Sequence, residues 1–327
     1  MHVLISRNPM SGRKSSQPRA ERLAKLLRQQ GLTVEISTDL DEVTAKANEL
    51  HAAGRLRVLV GVGGDGTAAE LLNRTNDGVP LTLLPAGNAN LLAKLFKIGF
   101  SPARLADMIA AGRLCRLDVG RANGRFFLVT FGAGFDAEIV EQVHATRKER
   151  FASGNRGGGH VTNMSYVRPI LRVVNSYRYP KIHVEAFERP DDESPTFTDE
   201  MPWAFVFNMN RYAWGLPLVP GAKGDDGRLD HCLLAGGSMW AGGLYVMFAQ
   251  VGGLHRYLPG VRLGQAVRYR IQPADAEASV AYQIDGDPGG RLTRENPVEI
   301  DLVPRRLTFL VPPTTRQVET FTPDAVT

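Results

Sequence analysis

The sequence has few of the residues that mark secreted scaffolds and metal centres. Its 327 residues include two cysteines, Cys115 and Cys232, which are too few for a disulfide framework. Its seven histidines are scattered and show no metal-ligand spacing. A cysteine- or histidine-based metal centre is therefore not expected, and a reducing, cytoplasmic environment is.

The chain also lacks a clear membrane span and a basic, aromatic-rich stripe. The apolar run at the start is too short for a signal peptide. Residues 235–254 carry no charge, but their six glycines favour a packed, partly exposed helix over a membrane-inserted one. The formal net charge of +5 suits an anionic ligand or membrane surface, whereas nucleic-acid binding is not expected.

The order of strand and helix patterns predicts two domains. Strands and helices alternate up to about residue 118, and the strands are continuously apolar, which indicates a parallel sheet covered on both faces. Later strands lack crossover helices, apart from 161–175 and 238–252. We predict a doubly wound α/β domain over 1–118 and a mostly antiparallel β-sandwich over 119–305, with Asn123-Gly124 as a hairpin turn. The acidic segment 188–202 is expected to be a surface loop.

A glycine cluster, GVGGDG, follows the third strand at residues 61–66. It fits G-x-G-x-x-G, but the acidic residue that a dinucleotide site needs about 20 residues later is missing. The loop has no lysine, so it is not an ATP P-loop. Gly63, Gly64 and Gly66 permit positive φ, so their N–H groups could line an anion site ahead of a helix starting near Thr67. The alternative is a plain strand-to-helix turn.

Five further segments accompany this loop in a recognisable order. They are NPMSG (8–12), LPAGNANLLAKLF (84–96), the segment from Arg116 to Val140, DDGRLDHCLLAG (225–236) and YQIDGDP (282–288). Together with GGDGT and Glu70 they resemble the diacylglycerol kinase catalytic-domain family, which includes bacterial lipid kinases and sphingosine kinases and is distantly related to NAD kinases and phosphofructokinases. The resemblance covers nearly the whole chain.

The resemblance implies an ATP- and Mg²⁺-dependent kinase that phosphorylates a lipid hydroxyl. It implies an NAD kinase-like first domain to which residues 306–327 return, with ATP in the cleft between the domains. It also implies a cytoplasmic protein in peripheral contact with the membrane that holds its lipid substrate, and it allows a homodimer. The implied ATP-binding residues are Asn8, Ser11, Gly12, Thr38, Gly63, Gly64, Asp65, Gly66, Thr67, Glu70 and Asn88.

Several carboxylates receive implied roles, each with a simpler alternative. Asp65 would organise Mg²⁺–ATP with help from Asp118, and Asp118 could equally be a strand-end turn residue. Asp287 would be the general base, or merely a hairpin residue, while Asp285 could point across the strand.

A second, structural Mg²⁺ is implied at Asp226, with the backbone carbonyls of Lys223 and Arg228. The alternative there is an Asx-type turn. For Asn8, Ser11, Gly12 and Thr38 the alternative is helix capping or turn formation.

The sequence departs from the family pattern at several positions. Asn88 stands where Thr is usual, Leu91 where many members have Asp, Asp287 where Glu is usual and Ala69 where Asn is common. Two other functions therefore stay open: a kinase of a soluble hydroxyl compound, and a nucleotide-binding regulatory protein with impaired catalysis. The basic run Arg147, Lys148, Arg150 and Arg156 could contact anionic headgroups or form a solvated loop.

Overall fold

The computed structural model describes residues 1–7, 16–87, 89–152, 177–210, 212, 216–316 and 318–322. The chain forms two compact units. The first unit is Met1–Val119 together with Pro304–Thr327, and the second is Gly120–Val303. Two strands, Leu114–Ala122 and Val298–Leu310, contribute residues to both units.

The first unit is a parallel sheet with helices between its strands. Its elements are β1 (His2–Arg7), α1 (Ser16–Gln29), β2 (Thr33–Ser37), α2 (Leu40–Ala52), β3 (Leu56–Gly63), α3 (Asp65–Arg74), β4 (Leu81–Pro85), α4 (Leu91–Leu95), α5 (Pro102–Ala111) and the start of β5 (Leu114–Ala122). The strand order is β2-β1-β3-β4, all parallel. In β3, Val58, Leu59 and Val60 are all fully buried. Because successive side chains point to opposite faces, both faces of the sheet are covered.

The last part of the chain belongs to this first unit. In β16 (Val298–Leu310), Phe309 pairs in parallel with Leu81 of β4. The hydroxyl of Thr82 donates to the carbonyl of Leu310 at 3.1 Å. The short β17 (Thr320–Phe321) pairs with β5.

The second unit is a sandwich of two antiparallel sheets. Its elements are β6 (Arg125–Phe127), β7 (Thr130–Gly134), α6 (Phe135–Ala152), β8 (Ile182–Phe187), β9 (Phe197–Met201), β10 (Trp203–Phe207), β11 (Leu229–Leu234), α7 (Met239–Gln250), β12 (Val261–Ala266), β13 (Arg268–Pro273), β14 (Val280–Ile284), β15 (Asp287–Leu292) and the first part of β16. One sheet runs β12-β11-β10-β7-β14-β15, and the other runs β16-β13-β8-β9. Phe131 and Val206 of one sheet share a buried core with Tyr269 of the other. The predicted fold class is confirmed.

The sequence predicted a hairpin turn correctly but missed a strand at the edge of a sheet. Asn123 and Gly124 form the β5–β6 turn, with φ of 44° and 87°. Part of the acidic segment predicted as a loop is instead strand β9, because its alternation places Met201 in the core and pairs it with β8. The basic run predicted as a possible loop is helical as far as Ala152, where α6 ends. Arg156 and the predicted helix 161–175 lie outside the described residues.

The uncharged segment 235–254 contains α7, which has 12 residues. A helix of that length is about 18 Å long, whereas the hydrocarbon core of a bilayer is about 30 Å thick. Among the described residues, no helix is both long and apolar enough to cross a membrane.

Candidate active site

Several predicted site residues follow strands that end at one edge of the first unit's sheet. The register pairs Arg7 with Val62 and Gly63 with Pro85, so β1, β3 and β4 end side by side. This carboxyl edge is where open α/β sheets bind ligands. Thr38 directly follows β2 and is exposed, while Asp39 caps α2 by accepting N–H groups of Asp41 and Glu42. Asn8, Ser11, Gly12 and Asn88 lie outside the described residues.

The two glycine motifs at this edge touch each other through their backbones. A Cβ on Gly64 would lie 3.1 Å from Cα of Gly87, and a Cβ on Gly87 would lie 2.7 Å from Cα of Gly64. A Cβ on Gly63 would lie 2.0 Å from Oγ1 of Thr67. Close approach therefore explains these glycines.

The expected conformation of the glycine loop was wrong. None of Gly63, Gly64 and Gly66 has positive φ, and Gly64 has a φ of −109°. Helix α3 begins at Asp65, two residues earlier than expected, and the N–H of Thr67 already donates to the carbonyl of Gly64 at 3.0 Å. The N–H groups of this loop thus lead directly into a helix and do not form a left-handed nest.

Asp65 joins the two glycine motifs. Its carboxylate accepts the N–H groups of Leu91 and Leu92, both at 2.9 Å, at the start of α4. Burial raises the pKa of Asp65, although these hydrogen bonds oppose the shift. The position of Leu91 therefore matters here through its backbone N–H. Each carboxylate oxygen has a second lone pair that can accept from water or bind a cation.

Asn90 is a site residue that sequence reasoning missed. It is buried and has a left-handed φ of 47°. Its Nδ2 donates to the carbonyl of Gly87 at 2.7 Å, and its Oδ1 accepts the N–H of Gly87 at 3.0 Å. Arg19 of α1 also contacts the loop that follows β4, because its Nη1 donates to the carbonyl of Pro85 at 2.9 Å. The available signal for Asn90 was its place in the PAGNANLLA segment, whereas nothing in the sequence pointed to Arg19.

Two further predicted site residues of the first unit, Glu70 and Asp118, contact groups outside the two glycine motifs. Glu70 lies 3.5 Å from Arg74, one turn along α3. Asp118 is buried, and its carboxylate accepts the N–H of Arg305 at 2.8 Å. Because Arg305 has a left-handed φ of 53°, this bond fixes the turn by which the chain re-enters the first unit.

In the second unit, the DGD segment forms a tight hairpin. Ile284 pairs with Asp287, and the two residues between them, Asp285 and Gly286, have φ of 51° and 85°. Positive φ at both positions is the type I′ geometry that suits a two-residue hairpin. The carboxylate of Asp285 accepts three successive N–H groups, from Leu128 at 2.7 Å, Val129 at 2.8 Å and Thr130 at 2.9 Å. Asp285 therefore holds the strand beside it.

Asp287 has a different environment. Its side chain is partly exposed, 3.7 Å from Nη2 of Arg125 and 3.6 Å from Nε2 of His144 on α6. Neither neighbour was among the predicted site residues. Asp287 is thus placed beside two titratable side chains.

Asp226 lies in an exposed turn before β11. Its Oδ1 accepts the N–H of Arg228 at 3.1 Å, and Gly227 has a φ of 73°. Nearby, burial and then the charge of Asp226 raise the pKa of Asp230 to about 6, and Oδ2 of Asp230 is buried without a hydrogen-bond partner. Within the described ranges, no group of three or more His, Cys, Asp or Glu side chains could hold a metal. One exposed carboxylate with loop carbonyls, including those of Lys223 and Arg228, still fits a hard cation.

Residues 2–122 match the sequence model of the diacylglycerol kinase catalytic domain. This segment is similar to that family. A relative from Pseudomonas fluorescens, named "Probable lipid kinase YegS-like", is 26% identical over 79% of each chain. A diacylglycerol kinase from Staphylococcus saprophyticus is 23% identical over 72% of each chain. These matches confirm the resemblance and the enzyme class, a phosphotransferase with an alcohol acceptor from a lipid kinase family.

Solved structures with the same fold support the fold class. A diacylglycerol kinase from Bacillus anthracis superposes with a TM-score of 0.63 at 17% identity, covering 96% of this chain and 98% of that one. An NAD kinase from Archaeoglobus fulgidus, solved in complex with ATP, superposes with a TM-score of 0.53 at 11% identity, covering 96% and 94%. The expected likeness to NAD kinases is confirmed at the level of fold.

Replacement of Asp285 should destabilise the protein, since three backbone N–H groups would lose their acceptor and a side chain without local hydrogen bonding would remain at positive φ. We expect Asp285→Ala to lower the free energy of unfolding by about 2–4 kcal/mol in urea titrations. Asp287→Ala is the matched control and should cost less than about 1 kcal/mol, because its ion pairs are exposed. Equal losses for the two variants would contradict these different roles.

Proposed function

We propose that this protein is an ATP- and Mg²⁺-dependent kinase that transfers the γ-phosphate of ATP to a hydroxyl of a diacylglycerol- or sphingosine-like lipid. The observation that carries the proposal is the close backbone contact between Gly64 and Gly87. Hydrogen bonds of Asp65 and Asn90 stabilise the two loops, which lie in the segment that matches the catalytic-domain model. The contact brings two strand-to-helix loops together at the edge of the sheet where nucleotides bind in such folds.

The nucleotide phosphates are proposed to lie along these loops. The N–H groups at the start of α3 and the positive end of its dipole attract anions, so no lysine is required. Thr67, Glu70 and Thr38 keep their proposed nucleotide contacts, as do Asn8, Ser11, Gly12 and Asn88. Asp65 and Asp118 are proposed to organise the bound Mg²⁺, directly or through water, and the ion would neutralise charge on the transferred phosphate.

The close contact between the glycine motifs makes Gly64→Val a direct test of nucleotide binding. The added side chain would push the two loops apart, so ATP affinity should fall about tenfold or more by calorimetry. Gly99→Val is the matched control, because a Cβ at Gly99 meets no atom within 4 Å. Wild-type protein should also prefer ATP to NADH. Unchanged ATP affinity in a folded Gly64→Val variant would contradict nucleotide binding at these loops.

Asp287 is proposed to take the proton of the acceptor hydroxyl as its oxygen attacks the γ-phosphorus and ADP leaves. Arg125 and His144 lie 3.7 Å and 3.6 Å from the carboxylate of Asp287. We infer that these two neighbours hold the shorter side chain in position for this step.

The proposed base is tested by substitutions that keep side-chain size. Asp287→Asn should leave ATP binding intact and lower kcat by about 10²–10⁴-fold, the usual range for a general base. Asp287→Glu should retain activity. His144→Gln should lower kcat, because the carboxylate of Asp287 loses a neighbour, whereas His183→Gln, at a histidine 3.4 Å from Glu200, should not. A loss below about threefold for Asp287→Asn would place the base elsewhere.

Asp226, with the carbonyls of Lys223 and Arg228, is proposed to hold a structural Mg²⁺. Added Mg²⁺ should raise the melting temperature of wild-type protein by more than about 2 °C, and Asp226→Ala should abolish most of that rise. Asp225→Ala, in the same loop, is the control and should respond as wild type does. If Mg²⁺ does not change the melting temperature of the wild-type protein, the Asp226 loop is a turn without a metal site.

Two other functions are separated from lipid phosphorylation by one experiment. The shorter Asp287 and the presence of Leu91 allow a kinase of a soluble hydroxyl compound or a regulatory protein with impaired catalysis. Radiolabelled γ-phosphate is offered with extracted lipids and with water-soluble extract. Label in the lipid fraction supports the proposal, label in the aqueous fraction favours a soluble acceptor, and no transfer favours regulation. A lipid acceptor further implies that the protein associates peripherally with the membrane. We also propose that the protein can form a homodimer.

A further inference from the structure

Helix α7 and the turn after it expose a row of large apolar side chains. We define the apolar ridge as Trp240, Leu244, Met247, Val251 and Leu254. Trp240, Leu244 and Met247 are spaced four and three residues apart and so share one side of the helix, and Val251 and Leu254 follow its C-terminal end. Trp240 is 82% exposed and Met247 is 54% exposed. Such a group of exposed residues differs from the scattered single apolar residues normal on protein surfaces.

The opposite side of α7 is firmly attached to the second unit. Gly242, Tyr245 and Ala249 are buried, and a Cβ on Gly242 would lie 2.7 Å from the Trp203 ring. The Ser238 hydroxyl accepts the N–H of Ala241 at 3.2 Å and so caps the helix. The ridge is therefore carried by an anchored helix, and its exposure is not the result of a detached segment.

A cation lies at the end of the ridge. Arg256 is exposed and follows Leu254 by two residues, whereas Arg262 and Arg270 lie 3.6 Å from Asp199 and 3.4 Å from Glu299. The guanidinium of Arg256 lies 4.8 Å from the ring centroid of Tyr257, which is 70% exposed. Trp, Tyr and Arg around aliphatic side chains are the composition of segments that lie at a bilayer surface.

We propose that the apolar ridge docks this protein on an anionic phospholipid bilayer, with α7 lying parallel to the surface. Trp240 and Met247 enter the boundary between headgroups and acyl chains, while Arg256 reaches the phosphates. This inference deepens the proposed function, since it rests on a lipid acceptor, but docking itself requires no nucleotide. A second copy of the chain fits less well, because the exposed side of an 18 Å helix offers far less than the about 800 Å² per partner of a standard interface.

The test measures binding of the full chain to phosphatidylcholine vesicles with and without phosphatidylglycerol, in the absence of ATP. Trp240→Ser/Met247→Ser should bind the anionic vesicles at least about tenfold more weakly than wild type, because two large apolar side chains no longer leave water. Phe100→Ser is the matched control, at a 61% exposed aromatic residue of the first unit, and should bind as wild type does. Arg256→Gln should reduce the preference for anionic vesicles.

Tryptophan fluorescence supplies a second readout that does not depend on affinity. Wild-type emission should shift to shorter wavelength on vesicle addition, and Trp240→Phe should lose most of this shift while still binding. Unchanged vesicle affinity in the double serine variant would overturn the proposal. So would a wild-type dimer that the double variant converts to monomer without any change in vesicle binding.

Kinase assays separate this proposal from the proposed function. Ridge variants should phosphorylate a dispersed short-chain acceptor at the wild-type rate but a vesicle-embedded acceptor more slowly. If no acceptor is phosphorylated by wild type while the vesicle binding follows the pattern above, the kinase proposal fails and the docking surface stands.

Discussion

Aspartate carboxylates that accept backbone N–H groups hold each part of the proposed machinery in place. Asp65 binds the first N–H groups of α4, Asp118 binds the N–H of Arg305, and Asp285 binds three N–H groups beside β7. Each bond satisfies donors that would otherwise be left without a partner at a helix start or a chain turn. Helix α4 has only five residues and could not persist on its own, so the second glycine motif depends on Asp65 for its shape.

Two neighbouring aspartates of the second unit, Asp285 and Asp287, have different contacts. In the hairpin, Asp285 is committed to backbone donors and Asp287 lies beside Arg125 and His144. Position in the turn therefore gives two chemically identical residues different contacts.

The sequence was informative about periodic segments and less so about contacts between distant residues. Apolar strands with intervening helices identified the first sheet, and Asn123-Gly124 identified a hairpin. Strand β9 was missed because an exposed edge strand carries weak hydrophobic alternation in an acidic, proline-containing segment. The glycine motifs were located, but a glycine required for close approach cannot be told from one required for positive φ by residue type alone. The bond from Arg305 to Asp118 joins residues 187 positions apart, which no local pattern encodes.

The discontinuity of the first unit has a consequence for biosynthesis. Strand β4 receives its neighbour Phe309 only after the whole second unit has been translated. During elongation the nascent N-terminal segment therefore keeps one edge of its sheet unpaired, with free donors and acceptors that can template wrong pairing. Vectorial synthesis therefore delays completion of the first unit's sheet until β16 has been made. A prematurely terminated chain would consequently present an open sheet edge rather than a finished catalytic domain.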